Sequence, residues 1–397
     1  MNYDVAIVGA GIVGLSTAYK LLEKDPGLNV VVLEKENRVA VHQTGRNSGV
    51  IHSGIYYRPG SYRAKNCLDG RHQLVEFCQK EGVVHDICGK IIVAVKEDEL
   101  PRLQKIYERG QENGIEGIRI IDQQEIGDIE PWSAGIRAIH VPCSGIVDFV
   151  GVCRKLAARI RQAGGEIRLQ TPVTSISQKN GELKIGTGKG TVNSHYLINC
   201  AGLYSDHVAR SAGVRSSVQI VPFRGEYFRL VNGAADRVRG LIYPLPNPEF
   251  PFLGVHFTRM ALGGVECGPN AVFAFKREGY KKLSFNFRET IETVNFPGFW
   301  RLARQHWRMG LDEYHRSFSR NAFLTELQRL MPWIDTEHLE ASPSGVRAMA
   351  LNRDGSILDD FRFEKARQQL HVVNAPSPAA TAALAVADEI LRQADLY

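Results

Sequence analysis

Residues 4–14 read Asp-Val-Ala-Ile-Val-Gly-Ala-Gly-Ile-Val-Gly, an apolar strand that runs into three glycines with the spacing Gly-x-Gly-x-x-Gly. A helical stretch follows over residues 15–23, and a second apolar strand over residues 30–33 ends in Glu34. Strand, glycine turn, helix, strand and acid therefore stand in register within the first 34 residues. This order predicts a βαβ unit that binds a dinucleotide.

Each residue of this motif has an expected physical task. Gly9 allows the tight turn, Gly11 lets the backbone approach a pyrophosphate, and Gly14 lets the helix pack close to the strand. The N-terminus of the helix offers free N–H groups and the positive end of the helix dipole to the phosphates. Glu34 is expected to accept hydrogen bonds from both ribose hydroxyls of an adenosine, and Lys35 follows it in the same turn.

FAD and NAD share such a unit, and three later segments favour the flavin. Asn47-Ser48-Gly49 lies in a polar stretch after the second strand, and residues 196–200 form a strand that runs into Ala201 and Gly202. Residues 370–374 form another strand, which runs into a turn that contains Ser377-Pro378-Ala379-Ala380 and then a helix over residues 382–392. Such a turn can direct N–H groups at a second anionic centre, for which a reduced flavin ring is suitable. Taken singly, each segment is equally compatible with an ordinary connection between a strand and a helix.

Composition excludes several classes of protein. A chain of 397 residues predicts one to three domains. Its 44% apolar and 23% charged residues are ordinary for a globular protein and exclude a disordered chain or a collagen. The seven cysteines lack a Cys-x-x-Cys pair, which predicts a reducing compartment and no metal site. Without a signal-like start or an apolar run of about 18 residues, we expect a cytoplasmic protein.

The net charge of +6 is unevenly distributed. Residues 276–320 contain ten Lys or Arg against five acids, which predicts contact with an anionic small ligand or lipid surface rather than with nucleic acid. Residues 296–307 are both aromatic and basic, and Trp300, Arg304 and Trp307 share one helical face. This stretch is either a membrane-surface or quinone-access helix, peripheral on the inner face of a membrane or on the matrix side of a mitochondrion, or a packed helix.

The run from His42 to Tyr57, His-Gln-Thr-Gly-Arg-Asn-Ser-Gly-Val-Ile-His-Ser-Gly-Ile-Tyr-Tyr, closely resembles that of the L-2-hydroxyglutarate dehydrogenases and oxidases. These flavoenzymes belong to the larger D-amino-acid-oxidase-like group. The resemblance covers essentially the whole chain and is loose only over residues 281–340. It continues through the blocks at residues 221–227, 252–256, 268–271, 275–280, 345–348 and 374–381.

The resemblance implies an α/β plus α+β fold, with a Rossmann-like FAD-binding domain and a discontinuous antiparallel-sheet substrate domain. The FAD domain would use residues 1–80, 145–215 and 340–397, and the substrate domain residues 81–144 and 216–339. Short β-rich runs at residues 225–230 and 252–257 agree with the second assignment. The resemblance also implies further FAD contacts from Thr44, Val173 and Gly345.

The implied reaction is the FAD-dependent oxidation of L-2-hydroxyglutarate to 2-oxoglutarate, with hydride transfer to flavin N5. Oxidation of another 2-hydroxy acid or of an amino acid is the alternative, and a non-catalytic FAD-binding or membrane-docking protein is a third hypothesis. The electron acceptor stays open between oxygen, a quinone and another flavoprotein. No feature of the sequence indicates covalent attachment of the flavin.

Oxidising a 2-hydroxy acid requires a base, a carboxylate anchor and a fixed orientation. His52 is the first candidate for the base, because glycerol-3-phosphate oxidising flavoenzymes resemble this run and have a proton-accepting His there. Their phosphate-binding Arg is replaced by Tyr56, which argues against a phosphate substrate. His256 is the second candidate, whereas His371 is predicted to be structural and His42 to lie beside the nucleotide.

Arg347, in the turn Gly-Val-Arg-Ala, is the candidate that binds the α-carboxylate, because a guanidinium pairs with a carboxylate bidentately. A five-carbon dicarboxylate has a second charge, and several residues near the motifs could bind it without the sequence ranking them. The cations are Lys65, Arg224, Arg259, Lys276 and Arg277, and the hydroxyl donors are Tyr56, Tyr57 and Tyr243.

Overall fold

The structure is a computed structural model that describes residues 2–179, 181–246 and 254–396. Its strands, in chain order, are β1 (Asn2–Val8), β2 (Val30–Leu33), β3 (Val50–Ile51), β4 (His85–Asp86), β5 (Lys90–Ala94), β6 (Arg119–Asp122), β7 (Arg137–Val141), β8 (Gly145–Val147), β9 (Glu166–Arg168), β10 (Val173–Lys179), β11 (Glu182–Thr187), β12 (Gly190–Asn199), β13 (Val218–Leu230), β14 (Leu241–Pro244), β15 (His256–Arg259), β16 (Val265–Gly268), β17 (Val272–Phe273), β18 (Leu339–Asn352), β19 (Arg362–Ala366) and β20 (Gln369–Asn374). Its helices are α1 (Ile12–Lys24), α2 (Tyr62–Glu81), α3 (Leu100–Glu112), α4 (Gln123–Ile129), α5 (Phe149–Gln162), α6 (Ser205–Ser211), α7 (Phe287–Val294), α8 (Pro297–Phe318), α9 (Arg320–Gln328) and α10 (Ala383–Gln393).

The first large sheet carries the dinucleotide motif. Its order is β10-β11-β12-β1-β2-β9, and β20 pairs with both β12 and β19. Strand β1 is parallel to β2 and β12, and β12 is parallel to β20, so their carboxyl ends meet at one edge. The apolar run of β2 is buried at every position, as expected for a parallel strand covered on both faces. Helices α1, α5 and α10 pack around one core cluster on this sheet, and α1 and α10 confirm the two predicted helices.

The second large sheet is mostly antiparallel, with the order β17-β13-β16-β15-β14-β5-β7-β6. Strand β18 pairs with β13 over nearly its whole length, which sets Arg347 opposite Phe223. The predicted strand at residues 225–230 lies within β13. Of the predicted run 252–257, residues 252 and 253 lie outside the described residues, and β15 begins at His256.

The two sheets confirm the predicted fold class, an α/β body combined with an antiparallel sheet. The predicted domain boundary at residue 340 differs from the pairing in the structure. Residues 339–352 form β18, which belongs to the second sheet because its backbone hydrogen bonds go to β13. The rest of the division stays a prediction.

A small three-stranded sheet positions the segment that contains His52. Its order is β3-β8-β4, and Val50 pairs with Ile146. His52 therefore follows directly on a strand whose path is fixed by backbone pairing. All seven cysteines are free thiols. No helix within the three described ranges is long and apolar enough to cross a membrane.

Candidate active site

A cleft of about 1490 Å³ is lined by residues of both large sheets. Gly11, Glu34 and Ala201 line it from the first sheet, and His256 and Arg347 line it from the second. Pockets for small ligands usually measure roughly 300–1,000 Å³. This cleft is large enough for a dinucleotide together with a small substrate.

The glycine motif brings backbone against backbone at one end of the cleft. Gly9 has φ of +105°, and a Cβ added there would lie 2.6 Å from the Cys200 carbonyl oxygen. A Cβ at Gly14 would lie 2.0 Å from the Gly9 carbonyl oxygen, so α1 packs against the end of β1 only with glycine there. Gly9 and Gly11 line the cleft, whereas Gly14 acts from within the helix. The N-terminus of α1 consequently faces the cleft, as a pyrophosphate requires.

Glu34 is held in place by backbone donors. It is 8% exposed, its Oε2 accepts a hydrogen bond from the Ala10 N–H at 2.7 Å, and its Oε1 accepts one from the Glu36 N–H at 2.9 Å. A carboxylate can accept about four hydrogen bonds, so acceptor capacity remains on the side of the cleft. The donor and acceptor set at this end therefore fits the pyrophosphate and the ribose of FAD.

The segment after β2 is shaped by its own side chains. Asn47 Nδ2 donates to the Gln43 and Thr44 carbonyls, and its Oδ1 accepts from the Gly49 N–H at 2.8 Å. Thr44, Asn47 and Ser48 line the cleft. Gly49, predicted as a cofactor contact, is not among the described residues that line it. Its φ of +65° and its close approach to the Val147 carbonyl make it a turn residue instead.

The other predicted cofactor residues all line the cleft: Lys35, Val173, Ala201, Gly202, Gly345, Ser377, Pro378, Ala379 and Ala380. Lys35 Nζ donates to Glu36 at 2.6 Å and also pairs with Glu278. A Cβ at Gly345 would lie 2.2 Å from the Arg46 carbonyl oxygen, so this residue too gives a close backbone approach. His42 lies here as predicted, with its Nδ1 2.5 Å from the Tyr280 hydroxyl.

Thr381 joins the C-terminal turn to the His52 segment and was missed by sequence reasoning. Its Oγ1 accepts from the His52 N–H at 3.1 Å and donates to the Val50 carbonyl at 3.1 Å. In the sequence, Thr381 is only the last of a run of small side chains, and nothing in that run predicts a hydrogen bond to residue 52. Residues at positions 52 and 381, far apart in the chain, are thereby fixed relative to each other.

His52 lines the cleft, and its Nε2 lies 3.4 Å from the Ser377 Oγ. Burial lowers the pKa of His52 to about 3, and the positive charges of Lys90 and Arg63 act in the same direction. The imidazole is therefore neutral at neutral pH. A neutral imidazole has a free lone pair and can accept a proton.

His256 forms a second neutral imidazole in the cleft. It stacks on Tyr243 with ring centroids 3.9 Å apart, and its Nδ1 lies 2.9 Å from the Gly254 carbonyl oxygen. The carbonyl is an acceptor only, so Nδ1 carries the proton and Nε2 keeps the lone pair. Burial, together with the nearby positive charges of Arg347 and Lys90, lowers the pKa of His256 to about 3.

Arg347 projects from β18 into the cleft. One of its Nη atoms donates to the Asn270 carbonyl at 3.3 Å. Tyr56, Tyr57 and Tyr243 also line the cleft, and the Tyr57 hydroxyl lies 3.5 Å from the Ser377 Oγ. The structure thus brings both candidate bases, the candidate carboxylate anchor and the three phenols to one cavity.

The five cations suggested for the second carboxylate are not among the described residues that line the cleft. Arg224, Arg259 and Arg277 pair instead with Glu226, Asp86 and Asp206, respectively. Lys65 is exposed on α2, and Lys276 lies outside the cleft lining. His371 is buried between Asn199 and Gln369, as expected of a structural residue.

Several cations at or near the cleft were not predicted, among them Arg63 and Lys90; others that line it are Arg46, Arg102, Lys105 and Arg109. Arg63 lines it, with its guanidinium 4.3 Å from the centre of the Tyr57 ring. Lys90, the first residue of β5, is 3% exposed and is not itself among the described residues that line the cleft. Its ammonium lies 4.8 Å and 5.1 Å from the ring centres of the cleft residues Tyr56 and Tyr243. A charged residue at the head of the fully buried strand Lys-Ile-Ile-Val-Ala was the signal that could have identified Lys90.

Comparison with protein families matches residues 4–393 to the FAD-dependent oxidoreductase family. The L-2-hydroxyglutarate dehydrogenase of Indibacter alkaliphilus is 49% identical over 387 residues, which cover 97% of each chain. The mitochondrial L-2-hydroxyglutarate dehydrogenase of Homo sapiens is 42% identical and covers 100% of this chain and 90% of its own length. The enzyme of that name from Escherichia coli K12 is 42% identical, with 98% and 92% covered.

Among solved structures, the FAD-bound L-α-glycerophosphate oxidase of Mycoplasma pneumoniae superposes with a TM-score of 0.82. It is 23% identical, and the match covers 100% of this chain and 95% of the oxidase. The glycine oxidase of Geobacillus kaustophilus gives a TM-score of 0.72 at 18% identity, with 98% and 95% covered. At these identities the two structures show a common fold.

Proposed function

The chain belongs to the family of FAD-dependent oxidoreductases, and we propose that it oxidises L-2-hydroxyglutarate to 2-oxoglutarate. The observation that carries this proposal is the identity of 42–49% to L-2-hydroxyglutarate dehydrogenases over nearly the full chain. The cleft supports the proposal, because a neutral imidazole and a guanidinium line the same cavity as the residues of the dinucleotide motif.

In this proposal the chain holds FAD largely through backbone. The turn at Gly9 and the N-terminus of α1 bind the pyrophosphate, and Glu34 binds the ribose hydroxyls. The turn from Ser377 to Ala380 and the segment around Ser48 hold the flavin ring. When bound, FAD supplies the acceptor for the hydride that leaves the carbinol carbon.

His52 takes the hydroxyl proton on its Nε2 as the C2–H bond breaks. Its low pKa keeps the imidazole unprotonated, and a bound dicarboxylate raises its basicity by adding negative charge nearby. Arg347 binds the α-carboxylate and fixes which face of C2 is presented. His256, with its free Nε2, is the alternative base.

The substrate is tested by anaerobic mixing of the FAD-loaded protein with each enantiomer of 2-hydroxyglutarate. We expect the L enantiomer to bleach the flavin rapidly and the D enantiomer not to do so. Lactate, malate and glutamate are compared in parallel. Faster bleaching by glutamate assigns an amino acid as substrate, and a protein that no hydroxy acid reduces is not the proposed enzyme.

The base is tested by comparing His52→Gln with His256→Gln. The variant that has lost the base keeps FAD but is reduced about 10²–10⁴-fold more slowly. His195→Gln is the matched control, because His195 is exposed on β12. Wild-type rates in His52→Gln together with slow reduction in His256→Gln would transfer the role to His256.

We propose further that the protein contacts an anionic membrane through an apolar and basic surface on and around α7 and α8. Large apolar side chains there are unusually exposed, with Leu283 at 89%, Phe287 at 68% and Phe318 at 67%. Trp300 and Trp307 are exposed beside them, together with Arg304 and Arg308. Amphipathic surfaces with aromatic and basic side chains bind at lipid interfaces.

Sedimentation with vesicles that contain an anionic lipid tests this contact. The double variant Trp300→Ser/Trp307→Ser should lose most of its binding while L-2-hydroxyglutarate still reduces its flavin normally. Leu262→Ser is the control, because Leu262 is 73% exposed in the turn between β15 and β16. Unchanged sedimentation of the double variant argues that α8 does not touch the membrane.

A further inference from the structure

Lys90 is a buried cation without a counter-charge among the described residues. It is the first residue of β5 and is only 3% exposed. No carboxylate in the described ranges lies within ion-pair distance of its ammonium, in contrast to the buried Arg224 and Arg277, which pair with acids. A buried charge normally has such a partner, so the position of Lys90 requires an explanation.

The ammonium of Lys90 lies over two aromatic rings of the cleft wall. Its Nζ is 4.8 Å from the centre of the Tyr56 ring and 5.1 Å from that of Tyr243. Both tyrosines line the cleft. Ring faces attract a cation, but they provide no negative charge.

The Tyr56 hydroxyl is a second group without a partner at the same place. Its oxygen is fully buried and forms no hydrogen bond with any described residue. Burial raises the pKa of Tyr56 well above its ordinary value, so the hydroxyl stays protonated and available as a donor. An ammonium and a phenol that both lack an acceptor form a site for an anion.

The location of this pair relative to Arg347 fits a substrate with two carboxylates. In the second sheet, β18 carries Arg347, and the strands β13, β16, β15 and β14 separate it from β5. His256, on β15, experiences the charges of both Arg347 and Lys90. In the order of the strands, Arg347 and Lys90 therefore lie on opposite sides of His256, and the Lys90 ammonium lies next to the cleft through the rings of Tyr56 and Tyr243.

Resting on the proposed function, we propose that Lys90 and Tyr56 form the subsite for the carboxylate that is remote from the reacting carbon. The Tyr56 hydroxyl donates to this carboxylate, and the Lys90 ammonium supplies the opposite charge next to it. The pair thereby selects 2-hydroxy dicarboxylates over 2-hydroxy monocarboxylates. Arg347 remains the ligand of the α-carboxylate, which both substrate classes share.

The test compares two substrates that differ only in the remote carboxylate region, L-2-hydroxyglutarate and L-2-hydroxybutyrate. In FAD-loaded Lys90→Met we expect kcat/KM for the dicarboxylate to fall roughly 10–100-fold, the value of one charged hydrogen bond. The monocarboxylate should change by less than about threefold, because it does not reach the subsite. Lys90→Arg should restore part of the preference, and Tyr56→Phe should lower it by a smaller factor.

Binding of glutarate, which lacks the hydroxyl and cannot be oxidised, gives a readout independent of turnover. Glutarate and butyrate are titrated against the flavin absorbance of each variant. We expect Lys90→Met to weaken the binding of glutarate and to leave the binding of butyrate unchanged. Equal losses for both acids, or for both substrates, would mean that Lys90 only supports the fold and would overturn the subsite.

The outcomes separate this subsite from the proposed function. A wild-type protein that prefers L-2-hydroxyglutarate, with the same preference in Lys90→Met, Lys90→Arg and Tyr56→Phe, contradicts the subsite alone. A wild-type protein that does not distinguish the two substrates contradicts the proposed function and the subsite together. If Lys90→Met does not fold, Lys90→Arg and Tyr56→Phe carry the same comparison.

Discussion

The two ends of the cleft are built by different means. The nucleotide end consists largely of backbone, with Gly9 and Gly14 allowing main chain to approach main chain. The end that we propose for the substrate consists of side chains such as His52, His256 and Arg347, which come from three segments far apart in the sequence. Where main chain packs against main chain there is no room for an added side chain. Where side chains line the cleft, one of them can be shortened and the protein can still fold. The two ends should therefore respond differently to substitution.

Substitution of Gly14 should have the largest effect. A side chain there would collide with the Gly9 carbonyl, because even a Cβ would lie only 2.0 Å from that oxygen. We expect Gly14→Val to yield no folded protein that retains FAD, measured as flavin absorbance per protein. Gly310→Ala is the control, since a Cβ there meets nothing within 4 Å in helix α8. FAD retained at the wild-type level in Gly14→Val would show that the close packing of α1 on β1 is not needed to bind the cofactor.

Substitution of Arg347 should impair the reaction without loss of the cofactor. Two charged hydrogen bonds to a carboxylate contribute about 3–6 kcal/mol together, so Arg347→Met should lower kcat/KM by about 10²–10⁴-fold. Steady-state kinetics of the FAD-loaded variant measures this. Arg353→Met, on the exposed turn after β18, serves as the control. A normal KM and kcat in Arg347→Met would mean that another group binds the α-carboxylate.

Arg277 should matter for stability and not for substrate. Its guanidinium donates to both carboxylate oxygens of Asp206, at 2.6 and 2.9 Å, and both residues are buried. Arg277→Met leaves a buried carboxylate without its partner, which typically costs about 3–5 kcal/mol. Denaturant unfolding should show this loss, with KM unchanged in the folded protein. Arg288→Met, at an exposed position, should change neither quantity, and a raised KM in Arg277→Met would return Arg277 to the list of substrate ligands.

The smallest effect concerns pH. Burial lowers the pKa of Lys90 to about 8, so its side chain carries a positive charge below that pH and is a neutral amine above it. We expect the KM for L-2-hydroxyglutarate to rise by up to roughly tenfold per pH unit above about 8. Substrate binding raises this pKa, so the rise begins somewhat higher in the complex.

The neighbours of Lys90 do not titrate in this range. Burial raises the pKa of Cys67 to about 12 and also raises the pKa values of Cys143, Tyr56 and Tyr243. His52 and His256, with pKa values of about 3, are already neutral. The pH dependence of KM should disappear in Lys90→Met. A wild-type KM that stays constant above pH 8 would show that the charge of Lys90 does not act on the substrate.

The sequence by itself determined the nucleotide end, its cofactor and the family. The glycines, the helix and Glu34 act within 34 consecutive residues, and glycine alone permits the backbone approaches that the motif requires. The motif predicted the parallel sheet, and the resemblance along the chain implied the antiparallel one. The structure confirmed both sheets, and relatives at 42–49% identity confirmed the resemblance.

Only the tertiary structure decided which cations are paired with acids and which lie near the cleft without such a partner among the described residues. Arg277 was a candidate substrate ligand, but in the structure its guanidinium pairs with the Asp206 carboxylate, 71 positions away in the sequence. Lys90 was not a candidate, because the two tyrosines next to its ammonium come from other segments of the chain. The function of a charged side chain depends on the opposite charges that folding places around it. That environment is a property of distant contacts, which no local pattern of residues records.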